Sequence, residues 1–121
     1  MTRVVLTIDD SKAIRDMVAF TLQPHGYRVV GAENGQDGLS KLRSERPVLV
    51  ITDLNMPVMN GLDFIRQARR EPNGAGVPIV MLTTETKPEM KAEGKAAGAT
   101  GWINKPFDAG TLLAVAKKLA G

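Results

Sequence analysis

The chain has 121 residues, enough for one ordinary domain and too few for two. Apolar residues make up 43% and charged residues 24%, and cysteine is absent, which excludes disordered and fibrous classes together with disulfides, thiolate metal sites and thiol nucleophiles. The formal charge of +3 comes from basic residues scattered in runs no longer than two, with only five aromatics to stack on bases, so it reads as a solvated surface and not as a nucleic-acid interface.

In chain order, a first strand is predicted over Val4–Ile8, then a helix whose Ile14, Met17, Val18 and Leu22 share one face. A second strand, Arg28–Val30, runs into Gly31, and Leu39 and Leu42 mark a shorter helix after Asn34-Gly35. The third strand is predicted over Val48–Thr52, before a helix carrying Leu62, Ile65 and Ala68. A polar connection, Glu71–Gly76, leads to a fourth strand over Pro78–Leu82. Lys87–Gly98 is the weakest helix, with Met90 its one large apolar residue, and is expected to be the loosest element. A weaker fifth strand, Gly101–Asn104, precedes a helix with Leu112, Val115, Ala116 and Leu119 on one face. No apolar run approaches the ~20 residues that span a bilayer, and no signal peptide is evident. The expectation is a cytoplasmic protein without membrane insertion.

Short apolar runs without clean alternation suit strands covered on both faces. Strand alternating with helix five times therefore predicts an α/β fold, a doubly wound parallel sheet between two helical layers. Such sheets bind ligands beyond the carboxyl ends of their strands, where strand order reverses.

Those positions hold Asp9 and Asp10 after the first strand, Glu33-Asn34 after the second, Asp53 after the third, Thr83 and Thr84 after the fourth, and Lys105-Pro106 after the fifth. Three carboxylates in one crevice repel one another unless a cation neutralises them. A hard, oxygen-seeking ion such as Mg²⁺ suits them. His25 is the only histidine, so a nitrogen-ligated metal is poorly supported. An ammonium, a hydroxyl and a divalent cation together match the three oxygens of a phosphoryl group, and a carboxylate can be the nucleophile that receives it. Each residue also has an ordinary structural reading. Asp9, Asp10 and Ser11 suit a helix cap, Asp53 a turn, the two threonines another cap, and Lys105 a solvated turn. Their joint placement at one end of different strands favours a site.

On these residues the chain resembles the receiver domains of bacterial response regulators, and among them the CheY-like single-domain chemotaxis regulators. The resemblance runs from Val5-Leu6-Thr7-Ile8-Asp9-Asp10-Ser11, through Ile51-Thr52-Asp53-Leu54-Asn55-Met56-Pro57 and Met81-Leu82-Thr83-Thr84-Glu85, to Gly98-Ala99-Thr100-Gly101-Trp102-Ile103-Asn104-Lys105-Pro106-Phe107. It implies a flavodoxin-like three-layer sandwich of five helices around five strands in the order 2-1-3-4-5, for which CheY is a standing example. It also implies one receiver domain over residues 1–121 with no output domain attached.

The resemblance makes Asp53 the phosphoacceptor. Asp10 would ligate Mg²⁺ directly, Asp9 would assist, Asp53 would share the ion, and Asn55 would offer its backbone carbonyl. Thr83 would hydrogen-bond the phosphoryl group and Lys105 would pair with it, while Pro106 would follow a cis peptide bond. Trp102 occupies the position of an aromatic switch residue that moves with Thr83; where well-known relatives carry tyrosine, its lack of a hydroxyl implies that it does not reproduce a tyrosine's contacts. Thr84, Glu85, Asn55 and Met56 would line the path of the hydrolytic water.

The implied function is a phosphorylation-activated, monomeric signalling switch and not an enzyme, apart from assisting its own phosphotransfer and dephosphorylation. The phosphodonor would be a CheA-like sensor histidine kinase. Lys91, Lys95, Trp102 and the last helix would form a docking face for a downstream protein, foremost the flagellar motor switch. Within the family, a phosphorelay shuttle exchanging with a phosphotransfer protein, or a phosphate sink, uses the same site. Two other classes remain open. A Mg²⁺-dependent phosphohydrolase would show multiple turnover on a phosphomonoester. A nucleotide-binding module is disfavoured because neither G-x-G-x-x-G nor G-x-x-x-x-G-K-[ST] occurs.

Overall fold

Four side chains accept a hydrogen bond from the backbone N–H three residues on, and each opens a helix: Ser11 from Ile14, Asn34 from Asp37, Asn60 from Asp63 and Asp108 from Thr111. In the computed structural model, which describes residues 3–121, these caps begin α1 (Lys12–Leu22), α2 (Gly35–Glu45), α3 (Gly61–Ala68) and α5 (Ala109–Ala120). The remaining helix, α4 (Pro88–Ala97), lacks a side-chain cap and starts with Pro88, whose fixed φ suits a first turn. Residues 1 and 2 of the predicted unit lie outside the described residues.

The strands are β1 (Arg3–Ile8), β2 (Tyr27–Ala32), β3 (Leu49–Thr52), β4 (Ile79–Thr83) and β5 (Gly101–Asn104). All are parallel, in the order β2-β1-β3-β4-β5. This is the predicted fold, with strand boundaries moved by one to two residues. Val48 lies outside β3, although its N–H donates to the Val4 carbonyl at 2.8 Å.

Successive strand residues face opposite layers. Leu6, Ile8, Val50, Ile79 and Met81 join Leu39, Leu42, Phe64 and Ile65 of α2 and α3 in one core. Val5, Leu49, Ile51, Val80 and Leu82 join Val18, Leu22, Leu112 and Ala116 of α1 and α5 in the other. Burial on both faces explains the continuous apolar runs.

Two helical expectations need correction. Met17 is 46% exposed and does not share the buried face of α1. Ile14, Val18 and Leu22 recur every four residues, whereas Met17 sits about 100° around the helix from Val18. The α2 helix is not short, since it has 11 residues, as many as α1. Its buried positions are Gly35, Gly38, Leu39 and Leu42, and the two glycines leave no apolar signal in the sequence. They bring α2 close to its neighbours: a Cβ at Gly38 would fall 3.1 Å from Phe64 of α3, and one at Gly35 would fall 2.7 Å from Met59.

Candidate functional site

Pairing of β1 with β3 aligns Ile8 with Thr52, so the next residues, Asp9 and Asp53, emerge side by side at the carboxyl edge of the sheet. The Asp53 N–H donates to the Ile8 carbonyl at 2.9 Å, which fixes this junction. Carboxylate oxygens of Asp9, Asp10 and Asp53 lie within 4.8 Å of one another. Asp9 and Asp53 are buried and Asp10 is exposed. From the end of β5, Lys105 reaches over them, its Nζ donating to Asp9 Oδ2 at 2.8 Å and to Asp53 Oδ2 at 3.2 Å. The Lys105–Pro106 peptide bond is cis.

Electrostatics distinguish this cluster from a set of capping residues. Burial pushes the Asp9 carboxyl above its usual value, aided by the Asp53 charge and opposed by Lys105 and the Ser11 N–H. Burial pulls the Lys105 ammonium down, but the Asp9 hydrogen bond and the charges of Asp53 and Asp9 outweigh it, leaving the group above its usual value. One ammonium therefore serves two buried carboxylates, with a third close by. The set contains oxygen donors alone, and added positive charge there would relieve the cost of ionising Asp9. That chemistry fits a hard divalent cation such as Mg²⁺.

The ordinary readings account for only some of these residues. The α1 cap is Ser11, leaving Asp9 and Asp10 without that role. The α4 cap position is Lys87, so neither Thr83 nor Thr84 caps a helix. Asn34 does cap α2, and its neighbour Glu33 is held by a backbone bond to Asp37 Oδ2, so the β2 end contributes structure and no site group.

Thr83 ends β4, is 1% exposed, and pairs in register with Asn104, while the Lys105 N–H donates to its carbonyl at 2.9 Å. Thr84 and Asn55 are exposed at the same edge. Trp102 is half-buried on β5, and its indole N–H donates to the Glu85 carbonyl at 3.3 Å. The Glu85 N–H donates in turn to Thr83 Oγ1 at 3.2 Å. Through these two bonds Glu85 is the physical link between Thr83 and Trp102.

Other supports escaped the sequence reading. Arg15, four residues past the α1 cap, donates to the Asp9 carbonyl at 2.6 Å, and Thr52 Oγ1 donates to the Asp53 carbonyl at 2.9 Å. Gly61 packs so tightly under Asp53 that any Cβ would collide with the Asp53 carbonyl oxygen. Helical phase would have pointed to Arg15; no local pattern signals the close approach at Gly61.

Comparisons with known proteins agree with this geometry. A model of the response regulator receiver domain matches residues 5–117. The chain is 36% identical over 109 residues to protein PilH of Pseudomonas aeruginosa, covering 90% of each. It is 34% identical over 114 residues to the phosphate regulon transcriptional regulatory protein PhoB of Escherichia coli, covering 94% of this chain but only 50% of PhoB, so it spans about half of that relative's length. In three dimensions it is similar to the chemotaxis protein CheY4 of Vibrio cholerae, with a TM-score of 0.93, 47% identity and coverage of 98% of this chain and 99% of that one.

Proposed function

This chain belongs to the response regulator receiver domain family, and from that membership we propose that it is a signalling switch charged on Asp53 by the phosphohistidine of a sensor histidine kinase. The observation that carries this reading is the Lys105 ammonium spanning two buried carboxylates, with Asp10 within reach of both. In the transfer, an Asp53 carboxylate oxygen attacks phosphorus, the phosphorus–nitrogen bond breaks, and the departing imidazole takes up a proton. Asp9, Asp10, Asp53 and the Asn55 carbonyl would hold Mg²⁺, which when bound supplies positive charge to the phosphoryl oxygens. Lys105 pairs with one phosphoryl oxygen and the Thr83 hydroxyl donates to another. Thr84, Glu85, Asn55 and Met56 border the approach of the water that later hydrolyses the acyl phosphate and restores the carboxylate.

The Thr83 hydroxyl already accepts from the Glu85 N–H, and the Glu85 carbonyl accepts from Trp102. A phosphoryl group that draws Thr83 inward therefore pulls on the Glu85 backbone, whose carbonyl is tied to Trp102, and this differential contact shifts the domain between two states. The readout face we assign to α4, β5 and α5. Lys91 lies over the Trp102 ring at 5.9 Å, and with Lys95, Ala99, Thr100 and Gly101 the two line a groove of about 310 Å³. A basic rim beside an aromatic suits an acidic partner segment with an apolar anchor. The similarity to the chemotaxis protein CheY4 over nearly the whole chain favours the flagellar motor switch as that partner, a CheA-like kinase as donor, and a monomer working in the cytoplasm. No helix among the described residues is long and apolar enough to cross a membrane.

The test uses the single tryptophan. Mg²⁺ with beryllofluoride, a phosphoryl mimic, is expected to shift Trp102 emission, and Asp53→Asn to abolish the shift. An unchanged spectrum together with no detectable Mg²⁺ binding contradicts the reading.

A further inference from the structure

A second concentration of charge, opposite in sign to the acidic pocket, lies on another side of the domain. Arg66, Arg69 and Arg70, at and beyond the end of α3, form one wall of an open groove of about 420 Å³, and Glu93, Ala96 and Ala97 of α4 form the other. Arg69 is half-buried, and its donors run to neutral carbonyls: Gly98 at 2.6 and 3.2 Å, Val77 at 2.6 Å and Gly74 at 2.8 Å. Lys12, Arg28, Lys41, Arg43 and Arg66 each pair with a carboxylate. Neither Arg69 nor Arg70 has an ionic partner among the described residues. The Arg66 pair with Asp63 is exposed on both sides, and such a pair yields readily to a better acceptor.

Three guanidinium groups against Glu93 in the groove and Asp63 on Arg66 leave an excess of one positive charge. Arg69 contributes charge only, since its donors are spent on carbonyls, while the planar forks of Arg66 and Arg70 can each match phosphate oxygens two at a time. The volume lies within the range of small-ligand sites. Ala96 and Ala97 are the only apolar lining, so the groove lacks the large anchor on which a protein partner's affinity usually rests. The geometry points to the α3–α4 groove as a binding site for a small molecule carrying two linked phosphate groups.

Occupancy has a mechanical consequence. Arg69 already ties the end of α3 to the Gly98 carbonyl at the C-terminus of α4, and a ligand held between the walls braces the two helices further. The α4 helix has Gly94 as its one buried residue, so its position is the least fixed by packing. The groove thus gives the domain a chemical input separate from Asp53.

Pyrophosphate titrated into the full chain by calorimetry, at near-physiological salt and with EDTA keeping divalent cations from the acidic pocket, is expected to bind saturably at one site. Arg70→Gln, which removes no side-chain hydrogen bond or ion pair among the described residues, weakens binding at least about tenfold, whereas Lys118→Gln on α5 leaves it unchanged. Hydrogen exchange slows across residues 93–98 on binding. No saturable binding overturns the proposal, as does equal weakening by both variants, which signals a diffuse ionic atmosphere. Tighter binding of an acidic peptide than of pyrophosphate overturns the phosphate assignment. Asp53→Asn gives the same result as the parent chain, so failure here is distinguishable from failure of the phosphoacceptor reading.

Discussion

Val58 is 77% exposed, yet its backbone is left-handed, with φ 68°, in the loop between Asp53 and α3. A hydrogen bond from the Met59 N–H to the Pro57 carbonyl at 2.7 Å closes the turn around it. A β-branched residue in this region crowds its own backbone at a cost of roughly 1–2 kcal/mol. Val58→Gly, which has no Cβ to crowd the turn, is expected to raise stability in urea by up to about 1 kcal/mol; a lower midpoint contradicts the strain. At Asp9 the relevant quantity is a proton. Its pKa in the folded, metal-free domain lies above its unfolded value of 3.8, so the folded state holds that proton more tightly. The stability it contributes is present below the unfolded value and is lost as pH rises through the folded one. Asp9→Asn removes this part of the pH dependence of metal-free stability, and an unaltered urea profile across acid to neutral pH would sink the assignment. Lys105 has the same sign at a more alkaline window: its contribution is full below its unfolded value of 10.5 and is lost above it. The proposed Mg²⁺ site needs Asp9 ionised, so Mg²⁺ affinity is expected to decline on acidification sooner than at an ordinary carboxylate.

At the scale of elements, glycines set how closely the helices approach the site. Gly61 opens α3 against the Asp53 backbone, and Gly61→Ala is expected to cost at least about 2 kcal/mol, because neither backbone can yield without moving the carboxylate. On α4, a Cβ at Gly94 would fall 2.9 Å from the Trp102 ring. Gly94→Ala is therefore expected to displace the indole, weaken its bond to Glu85 and shift tryptophan emission without any phosphoryl mimic; an identical spectrum contradicts the tight packing. The same glycines explain what the sequence left hidden. Strands were legible because burial on both faces makes apolar runs, and the meeting of Asp9, Asp53 and Lys105 was legible because each sits just past such a run. The length of α2 was not, since Gly35 and Gly38 occupy its buried face without an apolar signature. Met17 was misplaced because it is an apolar residue on an exposed face, where composition and periodicity disagree. The place of Glu85 between Thr83 and Trp102 gave no signal because that link runs through its backbone N–H and carbonyl, which any residue carries.

For the whole molecule, two apolar cores hold a sheet whose carboxyl edge gathers like charges that would otherwise repel. Mg²⁺, if held by the folded state alone as proposed, is expected to raise the thermal midpoint with the logarithm of its concentration, and Asp10→Asn to blunt the rise without removing a buried group. A midpoint indifferent to Mg²⁺ contradicts the acidic pocket as a cation site. The proposed function turns on a phosphoryl group entering at Asp53 and nowhere else. Intact-mass analysis after exposure to a small acyl phosphate donor and Mg²⁺ tests it most directly. One added phosphoryl group is expected on the parent chain, sensitive to alkali as an acyl phosphate is, with none on Asp53→Asn and none in EDTA. Equal labelling of Asp53→Asn, or no labelling of the parent chain by either this donor or a histidine kinase, would contradict it.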